Sequence, residues 1–290
     1  MTRSAGMHGV KLRRLLKRVY YVLSVPVSIV FLLDSTAIHA AYRMYWFRRL
    51  ALGLRMFVNT IRIPTATSYK AHLAMALKIL ETPPEVHGDI IECGTYKGGS
   101  AANLSLVCRV TGRKLKVCDS FEGLPEGDAR DREAKHYSRG DYAGMLEEVQ
   151  RNIRRAGAPE CCEFIPGWFR DTLPSLSSPV LLAFVDVDLE ASLETCIRYI
   201  WPNLVKGGFI FIDEAVSTDY SALFYSERWW RESFGCTPPG LIGAGTGLGL
   251  GGYYVGPWDE RHSHLLQHAG TAAYTRKGMS GHWSYYPDDQ

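Results

Sequence analysis

The stretch Asp89–Ser100, DIIECGTYKGGS, decides the fold. Asp89–Cys93 (DIIEC) is a short apolar run of the kind that forms a buried strand. Gly94–Gly99 follows as a turn, where glycine lets the backbone approach a ligand closely and enter a helix tightly. Ser100–Val110 continues as a helix. A strand, a glycine-rich turn and a helix open a crossover unit, and the residues on either side fit the same plan.

Upstream, Ser68–Leu80 puts Leu73, Ala76, Leu77 and Leu80 on one helical face, and Pro83-Pro84 ends it. Downstream, Leu115–Cys118 is a second strand ending at Asp119, and Phe121–Gly140 is a long polar loop. Tyr142–Arg155 is a helix with Met145, Val149 and Ile153 at apolar spacing. Cys162–Ile165 is a third strand, and Val180–Val185 is a fourth that ends in Asp186. Ala191–Leu204 is a helix closed by Lys206-Gly207-Gly208, and Phe209–Ile212 is a fifth strand ending in Asp213-Glu214. This alternation predicts an α/β fold with a mostly parallel, doubly wound sheet and right-handed crossovers. Gly240–Gly252 (GLIGAGTGLGLGG) lacks a phosphate-loop lysine and predicts a hairpin or tight crossing before a strand at Tyr253–Val255.

With 290 residues the chain has room for one large domain or two small ones. Apolar residues at 46% and charged residues at 22% exclude a disordered chain, a collagen-like repeat and a polytopic membrane protein. The charge is uneven. Residues 1–62 hold eleven Lys/Arg against one acid, Asp34, a balance of +10; the whole chain carries +3, so the remainder carries −7. Two regions follow: a basic, apolar helical extension over 1–65 and a body over 66–290.

In the extension, Val19–Leu33 is apolar for fifteen residues. That is about 22 Å of helix, short of the roughly 30 Å hydrocarbon core. Arg43, Arg48, Arg49 and Arg55 interleave with Tyr45, Trp46, Phe47, Leu50, Leu52 and Leu54, a pattern that suits an anionic membrane surface. Packing on the body as a lid or dimer arm is the first expectation for this segment, ahead of the membrane surface, with export or a true span as the third reading. The basic residues come with no reader motif, so nucleic acid is not an expected partner. Seven scattered cysteines, odd in number and without a CxxC pair, argue against zinc and against a disulfide framework. The expected setting is the cytoplasm, with peripheral contact at the inner face of a membrane through residues 1–62 left open, and the expected assembly is a homo-oligomer.

Ligands of an open parallel sheet bind beyond the carboxyl ends of its strands, where strand order reverses. Glu92, Asp119, Asp186, Asp188, Asp213 and Glu214 all fall at such ends. Glu92, just before Gly94, suits a positively charged ligand better than pyrophosphate. Asp119 stands where a ribose is gripped through its hydroxyls. Adenosine joined to a cationic amino-acid tail describes S-adenosylmethionine. A nicotinamide oxidoreductase and a non-catalytic, membrane-associated binding protein on the same fold stay open as alternatives. If the fourth and fifth strands are neighbours, their ends lie about 4.8 Å apart. Asp186, Asp188, Asp213 and Glu214 would then crowd one spot, and hard oxygen donors so placed suit Mg²⁺.

Five segments, IECGTYKGGSAANL, DSFEGLP, FIPGWFRDTLP, FVDVDLEASLETC and NLVKGGFIFIDE, together resemble the macrocin O-methyltransferase family over roughly residues 85–215. The resemblance implies a Rossmann-like methyltransferase fold that uses S-adenosylmethionine and Mg²⁺ to methylate a sugar hydroxyl of a glycosylated natural product. It implies that Glu92 and Gly94 line the methionine end of the cofactor, and that Thr95, Tyr96 and Ser100 of the same segment bind the cofactor too. Asp119 would bind the ribose, Ser120 and Phe121 would lie beside the adenosine, and Trp168 near the adenine. Asp186, Asp213 and Glu214 would hold the metal, Asp186 also facing the cofactor, and Asp188 would be the general base. The sequence departs from the family pattern twice. Asp213-Glu214 stands where two aspartates are usual, and Leu189-Glu190 follows Asp188 where an aromatic residue is common.

Overall fold

The computed structural model describes residues 29, 32–33, 35–127, 137–213, 215, 218–241 and 273–278. In chain order these form α1 (Trp46–Arg62), α2 (Tyr69–Glu81), β1 (Asp89–Cys93), α3 (Gly99–Thr111), β2 (Leu115–Asp119), α4 (Leu146–Ala156), β3 (Cys162–Pro166) and α5 (Phe169–Thr172). They continue with β4 (Val180–Val185), α6 (Glu190–Asn203), β5 (Leu204–Ile212), α7 (Thr218–Leu223), α8 (Glu227–Phe234) and β6 (Ala273–Arg276). The sheet order is β3-β2-β1-β4-β5-β6. The first five strands run parallel, and β6 lies antiparallel on β5. Strand order reverses between β1 and β4, which opens a crevice beyond their carboxyl ends.

Side chains of a strand alternate between its two faces. Ile90, Val117, Leu182, Phe184 and Phe211 enter one core, with α2, α3 and α4. Ile91, Cys118, Ala183, Val185 and Ile212 enter the other, with α6 and α8. The second core is aromatic: Trp230 is fully buried and meets Trp201 edge-on at 4.7 Å.

The first core contains a polar chain. His72 exchanges hydrogen bonds with Thr67 Oγ1 (2.6 Å) through Nε2 and with Asn103 Nδ2 (2.9 Å) through Nδ1. Asn59 Nδ2 of α1 donates to Asn103 Oδ1 (2.9 Å) and to the Ala156 carbonyl (3.1 Å). Burial lowers the His72 pKa to about 3 and keeps the ring neutral, so each ring nitrogen has a matching partner. Tyr69 Oη donates to the Gly53 carbonyl (2.9 Å), fixing α1 on α2. Arg49 gathers the chain ahead of α1 by donating to the carbonyls of Leu33 (2.9 Å), Ser35 (2.7 Å) and Met44 (2.6 Å).

The structure corrects two boundaries. The helix expected from Tyr142 begins at Leu146. Tyr142 has φ +56°, and a Cβ on Gly144 would overlap the Tyr96 carbonyl, so this backbone is turned by a contact from another element. Met145, expected on the apolar face, is 63% exposed. Lys206-Gly207-Gly208, expected to close a helix, lies inside β5, which starts at Leu204. Gly207 N–H donates to the Lys277 carbonyl and Lys277 N–H to the Gly208 carbonyl, both at 2.9 Å, so the chain after β6 supports this extension. The glycine-rich run from residue 242 and the strand expected at Tyr253–Val255 lie outside the described residues, as does most of Val19–Leu33. Among the described residues, no helix is long and apolar enough to cross a membrane.

Candidate active site

A cleft lies at the carboxyl ends of β1, β2 and β4. It gathers Gly94, Tyr96, Asp119, Ser120, Trp168, Asp186 and Asp188 of the residues expected from sequence. Glu92, Thr95, Ser100, Phe121 and Asp213 are not among its described lining residues. Of these, Glu92 lies near the end of β1, Thr95 in the turn and Ser100 at the start of α3 behind the cleft.

The turn is held from several sides. Gly94 N–H donates to the Cys118 carbonyl (3.0 Å), and Asp186 N–H donates to the Cys93 carbonyl (2.9 Å). Gly94 has φ +84°, and a Cβ there would overlap the Asp186 carbonyl oxygen, so only glycine lets β1 and β4 exit this close. Gly98, φ +81°, starts α3. Lys97 pairs with Glu148 (2.7 Å), and Asn152 Nδ2 donates to the Lys97 carbonyl (2.9 Å), so α4 buttresses the turn.

Asp119 ends β2 with both carboxylate oxygens engaged. Oδ2 accepts the Thr95 N–H and Oδ1 the Phe121 N–H, each at 2.7 Å. Burial raises its pKa, and these backbone bonds work in the opposite direction. Glu92 sits beneath the turn, fully buried, and neither of its oxygens has a hydrogen-bond partner of good geometry among the described residues. Burial pushes its pKa up to about 7; the nearby Ser100 and Thr95 hydroxyls pull it down and the Asp119 charge adds to the rise. An unpartnered buried carboxylate costs free energy unless something positive or a proton meets it. A cationic ligand tail reaching the turn would be such a partner, and the half-buried Asp119, lining the cleft beside Ser120, suits ribose hydroxyls.

On the other side, Asp186 and Asp188 are half-buried at the mouth of β4 with Val187 buried between them. Asp188 has φ +55°. The start of α6 is capped by Leu189, which has no side-chain acceptor, so Asp188 is not the helix cap. β4 and β5 are neighbours, with Val185 opposite Ile212. Asp186 and Asp213 therefore leave adjacent strands side by side, and Asp213 N–H donates to the Val185 carbonyl (3.3 Å). Asp213 is buried, and Glu214 lies outside the described residues. No three His, Cys, Asp or Glu side chains among the described residues gather as a metal site. Mg²⁺ is commonly held by only one or two carboxylates, with waters and substrate oxygens completing the octahedron. The Asp186–Asp213 pair fits that mode by donor chemistry and strand adjacency.

Non-glycine residues with positive φ cluster here. Of five described, Tyr96, Tyr142 and Asp188 line the cleft and Phe121 adjoins it, as strained backbone often does at working sites. The Tyr142 ring meets Tyr96 edge-on at 5.6 Å. Sequence reasoning missed Tyr142 by giving it to a helix, and missed Ser192 on α6; the Gly140-Asp141 pair just before Tyr142 was the available turn signal.

A family model described as Macrocin-O-methyltransferase (TylF) matches residues 71–232. The 8-demethyl-8-(2,3-dimethoxy-alpha-L-rhamnosyl)-tetracenomycin-C 4'-O-methyltransferase of Streptomyces olivaceus is 39% identical over 139 residues, covering 44% of this chain and 53% of that protein. The demethyldecarbamoylnovobiocin O-methyltransferase of Streptomyces niveus is 32% identical over 163 residues, covering 50% and 62%. The chain thus spans between half and two thirds of the length of these curated relatives. The solved structure of the O-methyltransferase NovP matches with a TM-score of 0.56 at 22% identity, over 89% of this chain and 99% of that one, a likeness of fold.

Proposed function

The chain belongs to the macrocin O-methyltransferase family, and from that premise we propose that it transfers a methyl group from S-adenosylmethionine to a hydroxyl oxygen of a sugar on a glycosylated natural product. The observation that carries this reading is the cleft itself. It brings Asp119, Trp168, Asp186 and Asp188 together from the ends of different strands, above a buried, unpartnered Glu92.

When bound, S-adenosylmethionine supplies a sulfonium-activated methyl group, and Mg²⁺ supplies a positive charge beside the acceptor oxygen. The chain's own residues do the rest. The Gly94 turn admits the amino-acid end of the donor, with the Glu92 carboxylate beneath it to match the positive charge. Asp119 and Ser120 hold the ribose, while Trp168 and Phe169 wall the adenine side. Asp186 and Asp213 would hold the metal, a role that the family resemblance also gives to Glu214. Asp188 faces the acceptor and takes the hydroxyl proton on its carboxylate. Holding the acceptor oxygen in line at about 3–3.5 Å from the methyl group is worth roughly 7–11 kcal/mol. Proton removal by a placed base adds about 10²–10⁴ in rate.

The test is calorimetric titration with S-adenosylmethionine, with and without Mg²⁺, followed by transfer of isotope-labelled methyl to a panel of glycosides. Donor binding and a labelled sugar ether are expected. Absence of donor binding would remove the reading. Equal turnover after EDTA treatment would remove the metal from it.

A further inference from the structure

Helix α1 has two faces, and the fold uses one. Leu52, Gly53, Met56 and Asn59 point into the core. On the outside, Phe47, Leu54 and Ile61 recur every seven residues and stand 52%, 44% and 62% exposed. Arg48, Arg55 and Arg62 each follow by one position, so they form a parallel basic strip about 100° around the helix. Tyr45 and Trp46 are exposed at the helix entrance, next to Phe47.

No acid occurs in α1. The described ion pairs of arginine involve Arg109, Arg170, Arg198, Arg228 and Arg231, not those of the strip. Beside the strip, a groove runs between α1 and α4; Leu54, Arg55, Val58 and Arg62 line its α1 wall and Arg155 the other.

An apolar stripe flanked by arginines, with aromatics at one end, is the composition of a helix lying in a bilayer interface. We infer that the outer face of α1 docks on an anionic phospholipid surface. The arginine strip and the Arg155 groove take headgroup phosphates, and Phe47, Leu54 and Ile61 enter below the headgroups. A second copy of the chain is a poorer occupant: pairing two α1 helices through this face gathers six strip arginines with no acid on either helix, and like charges so placed repel.

Flotation of the full chain tests this, using vesicles of equal parts phosphatidylcholine and phosphatidylglycerol against vesicles of phosphatidylcholine alone. The chain is expected to float with the first and not the second. Each of Arg48→Ala, Arg55→Ala and Arg62→Ala is expected to weaken partitioning about fivefold, and the three together on the order of a hundredfold. Thermal midpoints should stay unchanged, because all three side chains are exposed. The basic residues before α1 are present in every protein, so the loss belongs to α1. A wild-type chain that stays unbound on anionic vesicles, or a triple variant that floats equally well, overturns the inference. So does a homodimer in light scattering that Leu54→Ser with Ile61→Ser splits into monomers, which assigns the face to a second copy.

Discussion

On the β1–β2 side of the cleft, backbone hydrogen bonds hold Asp119 and the turn beside it in place. Both oxygens of Asp119 accept backbone N–H groups, and the turn beside it is tied to β2, β4 and α4. On the β4–β5 side, Asp186, Asp188 and Asp213 are placed by strand register and by a left-handed residue. The first side is therefore set before any ligand arrives, which suits a donor common to many reactions. The second brings carboxylates to the ends of two adjacent strands, a placement that suits a metal and a variable acceptor. Preset groups lower the reorganisation needed at the moment of reaction.

Four substitutions break or sharpen this contrast, the largest first. Gly94→Ala strikes where the two sides meet, because its Cβ would overlap the Asp186 carbonyl. Calorimetry should find no donor binding, and the thermal midpoint should fall with a loss on the order of 3 kcal/mol. Asp188→Asn should lower kcat by about 10²–10⁴ while donor affinity is retained, read by turnover and titration of one preparation. If turnover is kept, Asp188 is not the base. Asp119→Asn should weaken donor binding by about ten- to a hundredfold, because a charge-assisted acceptor worth roughly 1.5–3 kcal/mol is replaced.

Glu92→Gln should weaken donor binding, because the carboxylate that matches the donor's positive charge is lost, and its clearest effect should be on pH. The folded-state pKa, about 7 against the usual 4.5, is raised, so the folded chain holds a proton that the unfolded chain has released between those values. Stability of the ligand-free protein should then fall as pH rises from about 4.5 to about 7, by on the order of 3 kcal/mol. Denaturant midpoints across that window should flatten in the Gln variant. An unchanged slope would mean that Glu92 is not the group responsible.

Much of this was legible in the sequence. The strands of the parallel sheet could be read because apolar runs such as VLLAFV are buried on both faces, which leaves little choice of structure. The acids at their ends could be read because topology, not detail, puts strand ends together. Tyr142 could not be read: its helical spacing is real, but the Tyr96 carbonyl and Gly144 override it from outside the segment. Nor could the first residues of β5 be read. Lys206-Gly207-Gly208 looks like a helix stop, and it becomes strand where Leu204 pairs with Val180 of β4 on one side and Lys277 bonds Gly207 and Gly208 on the other. Ser192 needed α6 to lie across the cleft, a matter of packing that no local pattern records.

That late pairing has a consequence for how the chain acquires its structure. β6 joins β5 across some sixty residues, and Lys277 Nζ then donates to the carbonyls of Trp201 and Leu204, both at 2.7 Å. Until residues 273–278 leave the ribosome, the open edge of β5 offers unpaired backbone groups beside Phe209 and Phe211, an invitation to strand addition by another chain. Contacts so distant in sequence form slowly. The closing strand therefore sets a period of vulnerability during synthesis, and pulse-labelled chains stopped before residue 273 should sediment as aggregates where full-length chains remain dispersed.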